Sequence, residues 1–132
     1  MSLKILNTTR GSILATHAGI ADTQNARTLG LLLCQGLDEG EGLLFPNCNS
    51  IHTVGMKFPI DLVTFQPFSL KILAILTIFP GNVWKFREWP ASHCSVIELP
   101  QGIIASTGSQ VGDSLEFIPV LASSGAGATY GL

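Results

Sequence analysis

Cysteine and histidine residues are the first side chains in this sequence whose types could do chemistry. Cys48 and His52 have a C-x3-H spacing, and thiolates and imidazoles are the usual zinc ligands. A structural zinc site needs about four such ligands, and of the adjacent His93 and Cys94 only one could face a common metal from a strand. No protease-like signature surrounds any cysteine, so a nucleophilic Cys–His pair has no local support. We therefore predict no metal and no cofactor, and expect the cysteines to be small buried residues.

Carboxylates inside apolar strands offer a second kind of chemistry. Asp61 precedes Leu-Val-Thr-Phe, and Glu98 stands between Ile97 and Leu99. An ionised carboxylate in such a place is costly without a partner, so Asp61 should accept backbone N–H groups or pair with a cation such as Arg27. Two buried carboxylates could also form an acid/base pair with separated pKa values. Structural roles are favoured over catalysis.

The stretch SIHTVGMKFPID, residues 50–61, holds a histidine among apolar residues. If residues 51–57 are extended, His52 and Met56 share one face with Phe58. A buried histidine with a backbone partner would fit this pattern, and so would a binding-site histidine at the rim of a pocket. Gly55 removes a side chain and would let a ligand or another backbone approach. His52 is therefore the functional candidate and Asp61 the structural one.

These segments together resemble the domain of unknown function 192 family. The matching pieces are RTLGLL (27–32), the long segment from residue 40 to 65, VIELPQG (96–102) and GD (112–113), in the family's order. The resemblance implies a compact, mostly β domain with one helix, and it supplies no reaction. One departure is Pro67-Phe68-Ser69, where relatives place a short polar turn. The signature residues are Arg27, Gly30, Gly42, His52, Met56, Lys57, Pro59, Asp61, Glu98, Pro100, Gly102, Gly112 and Asp113.

Two functions fit these residues, and the sequence leaves open whether the chain is an enzyme. The first is a non-enzymatic domain that binds a small molecule or a protein partner. The alternative is a hydrolase-like enzyme in which His52 works with Asp61 or Glu98 as an acid/base pair, which needs contact within about 3 Å or one bridging water. In the first, the ligand-binding residues are His52, Met56, Lys57 and Glu98, and the structural polar residues are Arg27, Asp61 and Asp113.

Most of the elements that must position these side chains are predicted to be strands. Thr9-Arg10-Gly11-Ser12 is a hairpin turn between two of them, and turn signals recur at intervals of about 8–12 residues. A helix is predicted over about residues 23–34, with Asp22 as its N-cap and the apolar stripe Ala26, Leu29 and Leu33. The segment GIIASTGSQVGD is predicted as a turn or short helical turn. The fold class is mainly β (α+β): a compact antiparallel or mixed β barrel or sandwich of about seven strands, with one helix packed on it.

The composition narrows the function classes. Residues 1–121 are expected to form a single β-rich domain and residues 122–132 a flexible C-terminal tail. The net charge of −2, without a basic stripe, argues against nucleic-acid binding. The longest apolar stretch, residues 70–80, is too short to span a bilayer, and the N-terminus lacks a signal-peptide pattern. The missing signal-peptide pattern and the odd number of cysteines, which is 3, together favour a cytoplasmic protein with free thiols. The high apolar fraction of 46% favours strands buried on both faces or an interface such as that of a homodimer.

Overall fold

The computed structural model of the chain describes residues 2–21 and 37–121. In these residues it has nine strands, one short α-helix and one 3₁₀ helix. The strands are β1 (Ser2–Asn7), β2 (Ser12–Ile20), β3 (Glu41–Phe45), β4 (Ser50–His52), β5 (Ile60–Phe65), β6 (Ile72–Ile78), β7 (Val83–Lys85), β8 (Ser95–Pro100) and β9 (Leu115–Val120). The helix α1 is Ile103–Thr107, and the 3₁₀ helix is Ala91–His93. No helix in the described ranges is long and apolar enough to cross a membrane.

Seven strands form one mixed sheet, and the other two form a small second sheet. The order in the main sheet is β6-β5-β8-β3-β2-β1-β9, and β4 pairs with β7. All pairs are antiparallel except β2 and β3, which run parallel. The mainly β class is therefore confirmed, and the main sheet alone has the seven strands that were expected of the whole domain.

The main sheet curls until its two edges touch at one point. Lys71 and Ser114 form an isolated bridge between the segments that lead into β6 and β9. The backbone N–H of Ile72 donates to the carbonyl of Asp113 at 2.9 Å, and the N–H of Leu115 donates to the carbonyl of Leu70 at 2.9 Å. The sheet does not close into a barrel, so a gap remains between β9 and the β5–β6 turn.

Each face of the main sheet has its own apolar core. The inner cluster lies inside the curl and is joined by Ile103 and Ile104 of α1. The outer cluster lies between the other face and the small sheet, to which Ile51 of β4 and Trp84 of β7 belong. The inner cluster consists of Leu3, Ile5, Leu14, Ala15, Ala18, Val63, Phe65, Ile72, Ile97, Leu99 and Leu115. The outer cluster consists of Ala21, Phe45, Cys48, Ile51, Met56, Ile60, Leu62, Ile78 and Val96.

Strand β5 lies between these two cores and is buried at every position. Its sequence IDLVTF therefore cannot follow the alternation of a strand with one wet face. Asp61 points to the inner side with Val63, whereas Thr64 points to the outer side with Leu62. Both polar residues must find partners inside the protein.

The strand predicted through residues 51–57 ends at His52. The N–H of Met56 bonds the carbonyl of Thr53 at 3.1 Å, and Gly55 has a φ of 91°, so the chain turns here. Thr53 is held by its hydroxyl, which donates to the carbonyl of Phe79 at 2.6 Å. The prediction that His52 and Met56 share a strand face is therefore wrong, because Thr53 bonds the loop between β6 and β7 and the chain leaves the strand there. Strand β5 begins directly after Pro59, a position that suits a residue without a backbone N–H.

Helix α1 confirms the short helical turn predicted within GIIASTGSQVGD. It begins after Gly102, which has a φ of 102°, and ends at Gly108, with a φ of 69°. Both values favour glycine, and this sets the limits of the helix. The predicted helix at 23–34, with Asp22, Arg27 and its apolar stripe, lies outside the described residues, as does the predicted tail at 122–132.

Candidate functional site

Asp61 accepts hydrogen bonds from both the helix and a neighbouring strand. Its Oδ2 accepts the backbone N–H groups of Gly102 at 3.1 Å and Ile104 at 2.9 Å. Its Oδ1 accepts the hydroxyl of Thr77 at 2.7 Å, and the residue is 2% exposed. The backbone donors expected from the sequence are thus observed, and they satisfy the free N–H groups at the start of α1. The predicted cation partner, Arg27, lies outside the described residues.

Asp113 is the centre of a second polar cluster, which ties β1 to the loop before β9. Its carboxylate accepts the Arg10 guanidinium at 2.9 and 3.2 Å and the side-chain amide of Asn7 at 2.9 Å. The backbone N–H of Gln110 completes the set at 2.9 Å. Hydrogen bonding to Arg10 lowers the pKa of Asp113 to about 2. The sequence indicated Asp113 but missed Arg10, which it placed only in a hairpin turn.

Glu98 has no such partners. It is 3% exposed and lies between Leu43 of β3 and Leu62 of β5, its cross-strand neighbours. Its Oε2 has no hydrogen-bond partner in residues 2–21 and 37–121. Burial raises the pKa of Glu98 to about 8, so the carboxyl is mostly protonated at neutral pH.

Thr64 is the second buried polar residue without a partner, and the sequence did not indicate it. Its Oγ1 and the Oε2 of Glu98 are the two buried side-chain N or O atoms in residues 2–21 and 37–121 that bond nothing. Thr64 pairs with Val96, and Glu98 follows two residues later on the same face of β8. Thr64 and Glu98 are therefore diagonal neighbours, and such residues lie about 7–8 Å apart.

The four predicted ligand-binding residues do not come together. Met56 is buried in the outer cluster, on the face of the main sheet that carries Glu98. His52 and Lys57 are exposed instead. Among the described residues, the His52 side chain has no hydrogen bond to Asp61 or Glu98. In the described ranges no group of three or more His, Cys, Asp or Glu side chains could hold a metal.

Cys48 and Cys94 are both buried and free. The backbone N–H of Cys48 donates to the carbonyl of Cys94 at 2.9 Å, so the two residues are close. Burial, and to a smaller extent nearby Cys48, raises the pKa of the Cys94 thiol. The Cys94 thiol is therefore a poor nucleophile at neutral pH. Cys34 lies outside the described residues.

An apolar cavity of about 240 Å³ opens on the inner face of the main sheet, at the gap between β9 and the β5–β6 turn. The predicted ligand-binding residues do not line it. The rings of Phe65 and Phe117 meet across it with centroids 5.0 Å apart. Ser95 is its polar member, and the Ser95 hydroxyl oxygen accepts the N–H of Asn47 at 3.3 Å. The lining residues are Leu3, Leu44, Phe65, Pro67, Leu70, Ser95 and Phe117.

The β5–β6 turn shapes this cavity. The N–H of Leu70 bonds the carbonyl of Gln66 at 2.7 Å, and Leu70 has a φ of 60°. This left-handed conformation is rare for a bulky residue. Leu70 and Pro67 both line the cavity. Phe68, which is 77% exposed, packs edge-on against His93 at the outer side of the turn, with centroids 6.1 Å apart. The sequence signal for this site was the unusual Pro67-Phe68-Ser69 turn.

Comparison with known proteins places the chain in a family and a fold. A sequence model of the DUF192 family, described as "Uncharacterized ACR", matches residues 5–117. A protein of unknown function from Novosphingobium aromaticivorans is similar in structure, with a TM-score of 0.69 and 18% identity, over 88% of this chain and 84% of that chain. A putative transcription regulator from Sinorhizobium meliloti gives a TM-score of 0.70 at 18% identity, over 87% of this chain and 91% of that chain. At this identity the likeness shows the fold alone. No curated protein is similar enough to count as a match.

Proposed function

The chain belongs to the DUF192 family of uncharacterized proteins, and from this premise we propose that it is a binding domain for a small, mostly apolar ligand. The ligand occupies the cavity at the gap in the main sheet. The observation that carries the proposal is that cavity, with its volume of about 240 Å³ and six apolar lining side chains. An apolar cavity of about 150 Å³ is enough to bind benzene. A ligand with a substituted aromatic ring, or a short alkyl chain, therefore fits here.

Ser95 gives the ligand a preferred orientation. Its oxygen already accepts the N–H of Asn47, and in the described part of the chain its O–H donates to no acceptor. Small-molecule sites commonly combine an apolar lining with a few polar groups that fix orientation. The ligand should therefore carry one hydrogen-bond acceptor, such as a hydroxyl or a carbonyl oxygen.

The conformation of Leu70 supports a binding role for the turn. A non-glycine residue in the left-handed region costs about 1–2 kcal/mol. Such strain persists where the surroundings over-determine it, and it is found often at ligand sites. Leu70 here lines the cavity, and its carbonyl also receives the N–H of Leu115. The turn thus holds one wall of the cavity at a fixed distance from β9.

The test uses 4-methylphenol, with toluene as the matched probe that lacks the hydroxyl. Backbone amide NMR should show saturable shifts in wild type at Leu3, Leu44 and Phe117, and 4-methylphenol should bind more tightly than toluene. Leu44→Phe should fill the cavity and abolish binding of both probes. Ser95→Ala should remove the preference for 4-methylphenol. Leu121→Phe adds the same bulk at an exposed position and should leave binding unchanged.

The proposal is wrong if neither probe shifts the cavity residues, or if Leu44→Phe and Leu121→Phe bind both probes equally well. The hydrolase alternative receives no comparable support, because His52 is exposed and bonded to neither carboxylate. The roles predicted for His52 and Lys57 in binding stay predictions.

A further inference from the structure

We propose that Glu98 and Thr64 form a second binding site, in the outer layer of the fold, that takes the ammonium group of a small primary amine. This site is separate from the cavity proposed above. Glu98 and Thr64 face the outer cluster, whereas the cavity residues Phe65 and Ser95, their neighbours along β5 and β8, face the inner side. A ligand in one site therefore does not contact the other.

Two unsatisfied polar atoms on one sheet face carry the proposal. Buried polar side chains nearly always have hydrogen-bond partners, and each exception needs an explanation such as a bound group. Here the Oε2 of Glu98 and the Oγ1 of Thr64 both lack a partner within the part of the chain that the structure describes. Their strands are adjacent, and their register makes them diagonal neighbours. Because the two residues are neighbours, one guest between them can provide hydrogen-bond donors to both atoms.

The residues described around Glu98 include no positively charged partner for its carboxyl group. Leu43 and Leu62 flank Glu98, and the outer cluster above it is apolar apart from Cys48, its one titratable member in the described residues. Lys57, Lys85 and Arg87 are exposed and make no ion pair with Glu98. The ionised form of a carboxyl group in such a layer is stable only with a cation that is also buried. The described residues supply no such cation to Glu98, so a guest would have to bring it.

An ammonium group has the donors that both oxygens need. It has three N–H donors and no acceptor, so it can donate to the Glu98 carboxylate and to the Thr64 hydroxyl oxygen together. A short alkyl chain on the nitrogen would lie against the neighbouring leucine side chains and gain from their burial. A cation without N–H donors would supply the charge but leave both oxygens unbonded.

The decisive measurement follows the Glu98 carboxyl carbon by NMR in the wild-type protein. Its pKa is measured alone, with methylammonium and with tetramethylammonium, which has the same charge but no N–H group. Methylammonium should lower the pKa of Glu98 by about 1 or more, because a nearby cation favours the ionised form. Tetramethylammonium should leave it unchanged. This arm needs no variant and so does not depend on a substituted protein folding.

Variants assign the effect to the two residues. Methylammonium should raise the melting temperature of wild type and of Glu116→Gln, which removes a carboxylate from an exposed position on β9. Glu98→Gln should abolish this rise. Thr64→Val, which keeps the shape and removes the hydroxyl, should weaken methylammonium binding about tenfold. Leu44→Phe, which fills the other cavity, should leave the response intact.

The proposal is overturned if methylammonium leaves the pKa of Glu98 unchanged, or if both cations shift it equally. The first result would mean that no ammonium group binds between Glu98 and Thr64. A response that survives in Glu98→Gln would also refute the site. Failure here leaves the cavity proposal untouched, since the two sets of probes report on opposite faces.

Discussion

Glu98 and Asp61 lie on adjacent strands and face opposite sides of the main sheet. In the described segments Asp61 accepts three hydrogen bonds, whereas the Oε2 of Glu98 accepts none. Burial raises the pKa of Glu98 from the ordinary 4.5 to about 8, so the folded state keeps a proton that the unfolded state releases. The stability that this proton gives is complete below about pH 4.5 and is lost as the pH rises through about 8.

We therefore expect the free energy of unfolding of wild type to fall between about pH 5 and pH 8, by at most about 1.4 kcal/mol per pH unit. Glu98→Gln cannot ionise and should lack this fall. Urea unfolding at several pH values, compared between the two proteins, isolates the contribution because the two proteins differ only at residue 98. Parallel curves for wild type and Glu98→Gln would contradict the prediction.

Asp61→Ala and His52→Ala separate a structural from a functional role. Asp61→Ala leaves two backbone N–H groups and the Thr77 hydroxyl without an acceptor, and should destabilise the fold by about 3 kcal/mol. His52 is exposed, so His52→Ala should change stability by less than about 0.5 kcal/mol. Chemical denaturation of both variants is the measurement. If His52→Ala is much less stable than wild type and Asp61→Ala is as stable as wild type, the two roles are reversed.

At the scale of elements, Gly102 links β8 to α1 through its backbone. Its φ of 102° is unfavourable for any residue with a side chain, although a Cβ there would meet nothing within 4 Å. Gly102→Ala keeps the N–H that Asp61 accepts, so its effect reports on backbone strain alone.

We expect Gly102→Ala to lower the free energy of unfolding by about 1–2 kcal/mol. The control is Gly19→Ala in β2, which has no positive φ and whose Cβ would meet the Cδ1 of Leu43 at 3.4 Å, an ordinary contact. That control should lie close to wild type in the same denaturation experiment. If both variants lose the same free energy of unfolding, the positive φ of Gly102 is not a requirement for the start of α1.

The sequence predicts elements well where the signal is local. The turn at Thr9–Ser12 separates β1 from β2, Pro59 precedes β5, and α1 lies where a helical turn was expected. It fails where distant partners decide. The strand through residues 51–57 ends early because Thr53 bonds Phe79 and Asn82, which lie more than 25 residues away. Strand β7 was missed for the same reason, since it is short and exists only through its pairing with β4.

Site residues follow the same rule. The donors to Asp61 were expected because a buried carboxylate demands them. Arg10 and Asp113 are 103 positions apart in the sequence, and no local pattern in the hairpin turn predicts their contact. Thr64 could not be singled out, since threonine is an ordinary strand residue. The cavity is a gap between elements, and a gap has no sequence pattern of its own.

At the scale of the whole molecule, Asp113 holds the two edges of the main sheet together. It fixes the loop before β9 to β1 through Arg10 and Asn7, and the same loop bonds Ile72 at the start of β6. Hydrogen bonding to Arg10 lowers the pKa of Asp113 to about 2 from the ordinary 3.8. The resulting stability is present above about pH 4 and is lost as the pH falls toward about 2.

Asp113→Asn should therefore be less stable than wild type at neutral pH, by about 2 kcal/mol, because charge-assisted hydrogen bonds are lost. The difference should shrink as the pH falls below about 4, where wild type loses the same interaction. Urea unfolding between pH 2 and pH 7 measures both, with Glu116→Gln as the control for removing an exposed carboxylate. A difference that stays constant down to pH 2 would contradict this account.

The register of β1 against β9 also governs how the chain can be made. Ser2 pairs with Val120 and Asn7 with Leu115, so one side of β1 stays unpaired until residues more than 100 positions later have been translated. At about 5–20 residues per second, a ribosome takes roughly 5–20 s to cover that interval. During this time the β1–β2 hairpin exposes an unpaired strand edge and one apolar face. We expect nascent chains halted before residue 115 to recruit chaperones or aggregate, and chains released after residue 120 to fold cooperatively.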